Sequence, residues 1–154
     1  MGILLFENIF GHKELLKKLP GIKGQPGSYL FSGPPSVGKK TIASDLSRNI
    51  LCVEDKNPEC KCKSCRINLS DHPDFLCVGK TGRVKVKDIE DILEFSSNRP
   101  FLSDNRVIII DNSETATKEA ANRLLKIMEE PPEDFYFFIV TPNPEILLKT
   151  VTYR

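Results

Sequence analysis

The chain has 154 residues, enough for one domain with a hydrophobic core, and its net charge at pH 7 is +1. A charge this close to balance offers no overall field that would favour nucleic acid or membrane surfaces. The longest apolar runs, near Val107 and Phe135, have the length of strands and are too short to cross a bilayer. The start of the chain, MGILLFENIF, lacks the basic segment and cleavage site of a secretory signal, so we expect a cytoplasmic protein with five reduced cysteines.

Apolar periodicity predicts helices and strands that alternate along the chain. In chain order we expect a helix at 12–19, a strand at 28–32, a helix at 40–51, a strand at 74–79, a helix at 87–96, a strand at 106–111, a helix at 117–130 and a strand at 135–141. This order predicts an α/β fold with a largely parallel sheet. The side chains expected to face the core are Leu15, Leu16, Leu19, Ile42, Leu46, Ile50, Cys77, Ile89, Ile92, Leu93, Ala121, Leu124, Leu125 and Met128.

A glycine-rich loop follows the first predicted strand, in the sequence YLFSGPPSVGKKTIA. It matches the P-loop pattern G-x-x-x-x-G-K-[ST] up to the lysine, and such a loop binds phosphates through backbone N–H groups and that lysine. The residues predicted to contact a nucleotide here are Gly33, Pro34, Pro35, Ser36, Val37, Gly38, Lys39, Lys40 and Thr41.

One position of this loop departs from the pattern. The hydroxyl that would bind Mg²⁺ is replaced by Lys40, and Thr41 comes one residue late, which turns its side chain by about 100° around the helix. The extra ammonium of Lys40 would either hold phosphate without Mg²⁺ or stand in for the cation itself.

The acidic half of such a site is expected at the end of the strand RVIIID. There Asp111 occupies the Walker-B position, whose carboxylate holds Mg²⁺. In ATPases of the AAA+ type the next residue is commonly a glutamate that activates water, but here it is Asn112, which cannot accept a proton at neutral pH. Glu114 is an alternative base. We therefore expect a phosphate cradle without hydrolysis, and whether nucleotide binds stays open.

Four cysteines lie within fourteen residues, Cys52, Cys60, Cys62 and Cys65. Four thiolates suit a tetrahedral structural zinc site, and we predict one in an insert at residues 52–65. The spacing between Cys60 and Cys62 is tighter than that of an ordinary zinc knuckle, so His72 is an alternative to Cys60 as a ligand. Free thiols in a surface loop are the alternative to a metal site.

These segments, together with HPDF, AANRLLKIMEEPP and the terminal TPNPEILLKTVTYR, resemble the bacterial DNA polymerase III clamp-loader ATPase family over nearly the whole chain. The resemblance implies a three-layer, RecA-like AAA+ P-loop domain over residues 1–154, with the small zinc-knuckle insert, while the family's lid and collar domains lie outside this sequence. It further implies a hetero-oligomeric ring of gamma/tau-type and delta-type subunits that loads the sliding clamp on primed DNA, with ATP at subunit interfaces and no contact with a membrane.

The resemblance also assigns roles to two further residues. Thr141 matches the polar sensor region, and Arg154 falls on the arginine finger that acts on a neighbour's ATP, although Tyr153 stands where the family has a serine. The zinc spacing C-x₇-C-x-C-x₂-C differs from the family's C-x₈-C-x₂-C-x₂-C, so Cys52 and Cys65 match and the middle pair is shifted.

Within this family, the losses at Lys40 and Asn112 are of the kind that delta-prime subunits show, which implies a subunit that does not hydrolyse ATP. The alternative within the family is an active gamma/tau-type ATPase whose loop tolerates Lys40. An unrelated P-loop enzyme such as a nucleotide kinase is a third interpretation, but it would need an acceptor site and a lid with arginines, and the sequence indicates neither.

Overall fold

The computed structural model describes residue 11 and residues 13–54 and 60–145 of the chain. Its helices are α1 (Lys13–Lys18), α2 (Lys39–Leu51), α3 (Val86–Ser97) and α4 (Lys118–Glu129), and its strands are β1 (Gly27–Ser32), β2 (Phe75–Val78), β3 (Arg106–Ile110) and β4 (Phe135–Thr141). Short 3₁₀ turns lie at Leu19–Ile22, Leu69–Asp71 and Ser113–Thr115. Each predicted helix and strand has a counterpart among these elements.

The four strands form one parallel sheet in the order β1-β4-β3-β2. Every residue of β3 and β4 is buried, as expected for strands covered on both faces. Alternate side chains of these strands enter two separate core clusters. Val107 and Tyr136 pack with α2 on one face, whereas Ile108 and Phe137 pack with α3 and α4 on the other. The result is the predicted three-layer α/β fold with a parallel central sheet.

Several of the predicted core positions lie elsewhere. Leu15 is 51% exposed, because α1 has only six residues and ends before this side chain reaches the core. Leu19 in the following 3₁₀ turn is buried in the core instead. Leu93 is 48% exposed because Ile89 and Ile92, three residues apart, already form the inward face of α3. The remaining predicted core side chains are buried, apart from Leu16, Cys77 and Met128, which are half-buried.

Parallel strands bring their carboxyl ends to the same edge of the sheet. Ser32 at the end of β1 pairs with Thr141 at the end of β4, and the chain continues from β3 directly into Asp111. The phosphate loop, the strand-end acid and the predicted sensor therefore share one edge, where open α/β sheets bind their ligands. Within the described part of the chain, each helix is too short or too polar to span a bilayer.

Candidate functional site

The glycine-rich loop joins β1 to α2 and ends at Gly38, the residue that caps the helix. Gly38 has φ of +87°, a conformation that side chains disfavour, so the glycine of the pattern serves the backbone at this turn. Lys39 folds back over the loop, and its Nζ donates to the carbonyl oxygens of Gly33 at 2.7 Å and Pro34 at 2.6 Å. The loop thus has the strand–loop–helix context of a phosphate site, with its lysine resting on the loop itself.

Lys40 forms an ion pair with the strand-end acid. Its Nζ lies 2.8 Å from Oδ2 of Asp111, and the two side chains are 46% and 14% exposed. The hydrogen bond to Asp111 raises the pKa of Lys40 and outweighs the opposite effect of burial, so the ammonium stays charged. Of the two roles that the sequence leaves open for Lys40, this geometry favours the stand-in for a cation.

The residues at this edge do not fit Mg²⁺. Magnesium requires oxygen ligands in octahedral geometry, and a P-loop site supplies them from a hydroxyl and the strand-end carboxylate. Here the hydroxyl position carries an ammonium, and that ammonium is bound to the carboxylate. Thr41, the nearest hydroxyl in sequence, is exposed and lies one residue further along α2.

The side chain of Asn112, at the position where a catalytic base is expected, is a hydrogen-bond donor to the backbone. The residue has the left-handed conformation, with φ of +51°, and its Nδ2 donates to the carbonyl of Gly79 at 3.0 Å. Gly79 itself has φ of +75°, and a Cβ added there would lie 2.0 Å from the carbonyl oxygen of Asp111. Sequence reasoning missed Gly79, although a glycine at the last position of the strand predicted at 74–79 was a signal for such a close approach.

Glu114, the alternative base, is engaged by the predicted sensor. Thr141 Oγ1 donates to Glu114 Oε2 at 3.0 Å and accepts from the backbone N–H of Asn143 at 3.1 Å. Thr141 is fully buried, which fixes both contacts. The structure therefore brings Thr141 to the same edge as Asp111 but directs its hydroxyl to a carboxylate of the neighbouring 3₁₀ turn.

The four predicted zinc ligands converge at the carboxyl end of α2. The Sγ atoms of Cys52, Cys60, Cys62 and Cys65 all lie within 4.8 Å of one another. The Sγ atoms of Cys52 and Cys60 are 3.6 Å apart, close to the roughly 3.8 Å that separates sulfurs on a tetrahedral zinc ion with bonds of about 2.3 Å. The donor set therefore fits a closed, structural zinc site.

Hydrogen bonds around the cluster prepare one thiolate. Burial alone would raise the pKa of the Cys62 thiol, but the backbone N–H groups of Cys65 and Val53 and the neighbouring thiols lower it to about 6. Burial and the bonds to neighbouring sulfurs raise the pKa of Cys65. This asymmetry is typical of thiols that share protons, which a zinc ion would displace on binding.

His72, the alternative ligand, is used elsewhere. Its Nε2 lies 2.7 Å from the hydroxyl of Ser64, which donates in turn to the carbonyl of Leu51 at 2.6 Å. Its Nδ1 accepts the backbone N–H of Asp74 at 3.0 Å, so both ring nitrogens have partners in the neutral form. Burial lowers the pKa of His72, in keeping with that form. His72 thus ties the cysteine insert to the start of β2, and Cys60 belongs to the sulfur cluster.

A buried carboxylate next to this histidine was not anticipated. Asp74 is fully buried, and its oxygens accept the backbone N–H groups of Phe101, Leu102 and Ser103 at 2.6, 2.7 and 2.9 Å. Oδ1 also lies 3.8 Å from Nε of Arg106, which is buried against the ring of Phe95. The motif HPDF is therefore structural in this chain, because His72 and Asp74 both hold neighbouring segments in place.

Arg154, the predicted arginine finger, lies outside the described residues.

Comparisons with known proteins agree with this architecture. The family model described as "DNA polymerase III, delta subunit" matches residues 13–154. The chain is 30% identical over 155 aligned residues to the DNA polymerase III subunit tau/gamma of Haemophilus influenzae. This alignment covers 97% of the chain and 22% of that relative. The chain is also 34% identical over 130 residues to the DNA polymerase III subunit delta' of Bacillus subtilis, in an alignment that covers 82% of the chain and 40% of that relative.

A solved structure is similar as well. The crystal structure of a DNA polymerase III gamma subunit-related protein from Thermotoga maritima superimposes with a TM-score of 0.69 at 25% identity, covering 90% of this chain and 43% of that one. The chain thus spans between about a fifth and two fifths of these curated relatives. Since the family model covers nearly the whole sequence, the chain belongs to the DNA polymerase III clamp-loader family.

Proposed function

We propose that this chain is the AAA+ core of a delta-prime-type clamp-loader subunit that does not hydrolyse ATP. The observation that carries the proposal is the ion pair between Lys40 and Asp111, with 2.8 Å between Nζ and Oδ2. Hydrolysis by a P-loop ATPase depends on a metal ion that bridges the β- and γ-phosphates and neutralises the developing charge. Because the ammonium of Lys40 occupies the carboxylate of Asp111 that would hold this metal ion, the metal's contribution to hydrolysis is lost.

The absence of a base supports the same conclusion. The amide of Asn112 cannot take a proton from water, and its Nδ2 is committed to the carbonyl of Gly79. The carboxylate of Glu114 accepts a hydrogen bond from Thr141, so its position is fixed away from the role of a free base. Both elements of hydrolysis, the metal and the base, are therefore altered at this edge of the sheet.

The partners follow from the family. We expect the subunit to act in the cytoplasm in a hetero-oligomeric ring with gamma/tau-type and delta-type subunits that places the sliding clamp on primed DNA. In such a ring Arg154 would act in trans as the arginine finger for a neighbour's ATP, since a guanidinium is always charged and presents a planar fork of donors to phosphate. The residues proposed to line this chain's own nucleotide site are the loop 33–41, Asp111, Asn112 and Thr141.

An active gamma/tau-type ATPase is the second candidate. It is favoured by the similarity to the tau/gamma subunit of Haemophilus influenzae, which extends over 97% of the chain, and by the intact Gly33, Gly38 and Lys39. On this alternative Lys40 would leave Asp111 when the metal–nucleotide complex binds.

ATP turnover by the full-length protein distinguishes the two candidates. The proposal predicts background turnover for the wild type, and activity in the presence of neighbouring subunits only after Lys40→Thr and Asn112→Glu are introduced together. Wild-type turnover that Lys39→Ala abolishes would establish the gamma/tau alternative instead.

The finger is tested separately in a reconstituted complex with wild-type ATPase partners, clamp and primed DNA. Full-length protein carrying Arg154→Ala should still assemble, while hydrolysis at the one adjacent site falls by about 10³-fold or more and clamp loading falls with it. Arg48→Ala is the matched control, because Arg48 is exposed in the last turn of α2, at the end of the helix away from the phosphate loop. Unchanged turnover and loading with Arg154→Ala would reduce the role of this subunit to scaffolding.

A further inference from the structure

The mismatch between this site and Mg²⁺ has a consequence for the ligand itself. Nucleotides usually reach a P-loop as Mg²⁺ complexes, because the metal bridges the phosphates and the acidic strand end. In this chain Lys40 already compensates the charge of Asp111, and Asp111 is 14% exposed, so little of the carboxylate remains open to another cation. A metal–nucleotide complex would therefore have to displace a lysine from its partner.

We propose that this site binds a nucleoside di- or triphosphate in its metal-free form and discriminates against the Mg²⁺ complex. The proposal deepens the non-hydrolysing function proposed above and rests on it. Lys40 replaces the cation in two ways: it neutralises Asp111, and it presents its remaining N–H groups to a phosphate oxygen. An ammonium has three donors, and one of them is used by Oδ2 of Asp111.

The positive groups around the loop match a metal-free phosphate chain. Lys39 has its Nζ on two carbonyl oxygens of the loop, Gly33 and Pro34, which a phosphate oxygen can replace as the stronger acceptor for an ammonium. The side chain of Lys40 is 46% exposed and is reachable from solvent. The thirteen-residue helix α2 adds the positive end of its dipole at the same place. Two ammonium groups against one carboxylate leave a net positive charge, and the metal-free nucleotide carries two more negative charges than its Mg²⁺ complex.

Charge repulsion supplies the discrimination. A divalent ion placed at Asp111 would lie beside the ammonium of Lys40, which is 2.8 Å from the same carboxylate. At a separation of about 4 Å, this repulsion weakens binding of the divalent ion roughly thirtyfold relative to the same site without the ammonium, even at the dielectric constant of water. Displacing Lys40 into solvent avoids the repulsion but breaks the ion pair, so each route carries a cost that binding of the metal-free nucleotide does not.

The experiment is a titration of the full-length protein with fluorescent analogues of ADP and ATP, at one ionic strength, in excess EDTA and in excess MgCl₂. We expect the dissociation constant to be at least about tenfold lower in EDTA than in MgCl₂, because the metal-free nucleotide carries more negative charge and does not meet the repulsion from Lys40. Lys39→Ala should abolish binding in both buffers, which assigns the signal to the phosphate loop.

The variant Lys40→Thr should invert the preference. It removes the repelling ammonium and restores a hydroxyl at the metal position, so binding should become tighter in MgCl₂ than in EDTA. Lys87→Thr is the matched control, since Lys87 is exposed on α3, which packs on the opposite face of the sheet from α2 and follows β2, the strand at the far end of the sheet from β1. Circular dichroism of each variant checks that the fold is retained.

Two results would overturn the proposal. Wild-type binding that requires Mg²⁺ would show that Lys40 yields to the metal, and an absence of binding in both buffers would show that the loop holds no nucleotide. Neither result bears on turnover by itself, so the non-hydrolysing function can stand when this proposal fails. Conversely, wild-type hydrolysis in MgCl₂ would contradict the proposed function whatever the affinities in EDTA.

Discussion

The buried carboxylate of Asp74 provides the sharpest test of how this fold is held together. Asp74→Asn keeps the shape of the side chain but removes its charge and replaces one acceptor oxygen with an NH₂ group. In the wild type Oδ1 accepts the N–H of Phe101 and lies 3.8 Å from Nε of Arg106, while Oδ2 accepts the N–H groups of Leu102 and Ser103. The amide oxygen can retain the two bonds of Oδ2, but the NH₂ group then faces the N–H of Phe101.

The cost can be estimated from these contacts. One hydrogen bond to a charged acceptor contributes about 1.5–3 kcal/mol, and removing one partner of a buried ion pair costs about 3–5 kcal/mol. The Nε of Arg106 is not hydrogen-bonded to Asp74, and the guanidinium also donates to the carbonyls of Phe95 and Asn98, so these terms overlap. We therefore expect a loss of about 3 kcal/mol in the free energy of unfolding, a large fraction of the 5–15 kcal/mol that is typical of domains.

Urea denaturation of the two proteins followed by circular dichroism measures this loss. Asp71→Asn is the matched control, because Asp71 is exposed and only three residues away, and its effect should stay within about 0.5 kcal/mol. If Asp74→Asn destabilised the protein by no more than the control does, the anchoring role of the carboxylate would be wrong.

Three further predictions concern the cysteine insert and the loop after β2. Protein purified without added metal should contain about one zinc per chain by elemental analysis, with the thiols of the cluster protected in a thiol titration. Cys60→Ser should lose this zinc, and the control Cys77→Ser should keep it. Burial lowers the pKa of His72 in the folded protein, so the unfolded chain takes up a proton on this side chain at a higher pH than the folded protein does. The contribution of His72 to the free energy of unfolding should be complete above the unfolded pKa of about 6.5 and should be lost as the pH falls below it. Urea denaturation across this pH range should show a smaller loss for His72→Gln than for the wild type, and an equal loss in the two proteins would refute the prediction. Gly79→Ala should destabilise the protein by about 3 kcal/mol or more, because its Cβ would lie 2.0 Å from the carbonyl oxygen of Asp111, and an unchanged urea midpoint would contradict the close approach.

The layered fold was predictable because its central strands consist almost entirely of apolar residues. RVIII and FYFFIVT are continuous apolar runs, as expected for central strands of a parallel sheet, and both are fully buried. Helix faces were less predictable at their margins. Leu93 fits the apolar periodicity as well as Ile92 does, but only the packing of α3 against the sheet determines that one is exposed and the other buried.

The candidate site shows a different limit. The positions of Lys40 and Asp111 in their motifs could be read from the sequence, but their contact depends on the loop after β1 meeting the end of β3 in space. His72 illustrates the same limit, since spacing alone left it open as a metal ligand until both its ring nitrogens were placed. Asp74 lies in the HPDF segment, but its anchoring role could not be predicted, because its partners are backbone N–H groups about 27 residues away.

Two donors at this edge of the sheet contact the carboxylate of Asp111. Lys40 binds Oδ2 of Asp111 at 2.8 Å, and the backbone N–H of Asn112 donates to Oδ1 at 3.0 Å, so both oxygens have donors and the charge is compensated without a metal. Reverting Lys40 alone would free the acid but supply no base. Reverting Asn112 alone would place a glutamate beside an acid that still binds an ammonium, in a left-handed conformation that costs a residue other than glycine or asparagine roughly 1–2 kcal/mol. On the proposed function, we therefore expect each single change to leave the site inactive, because only the pair supplies the two groups that hydrolysis requires.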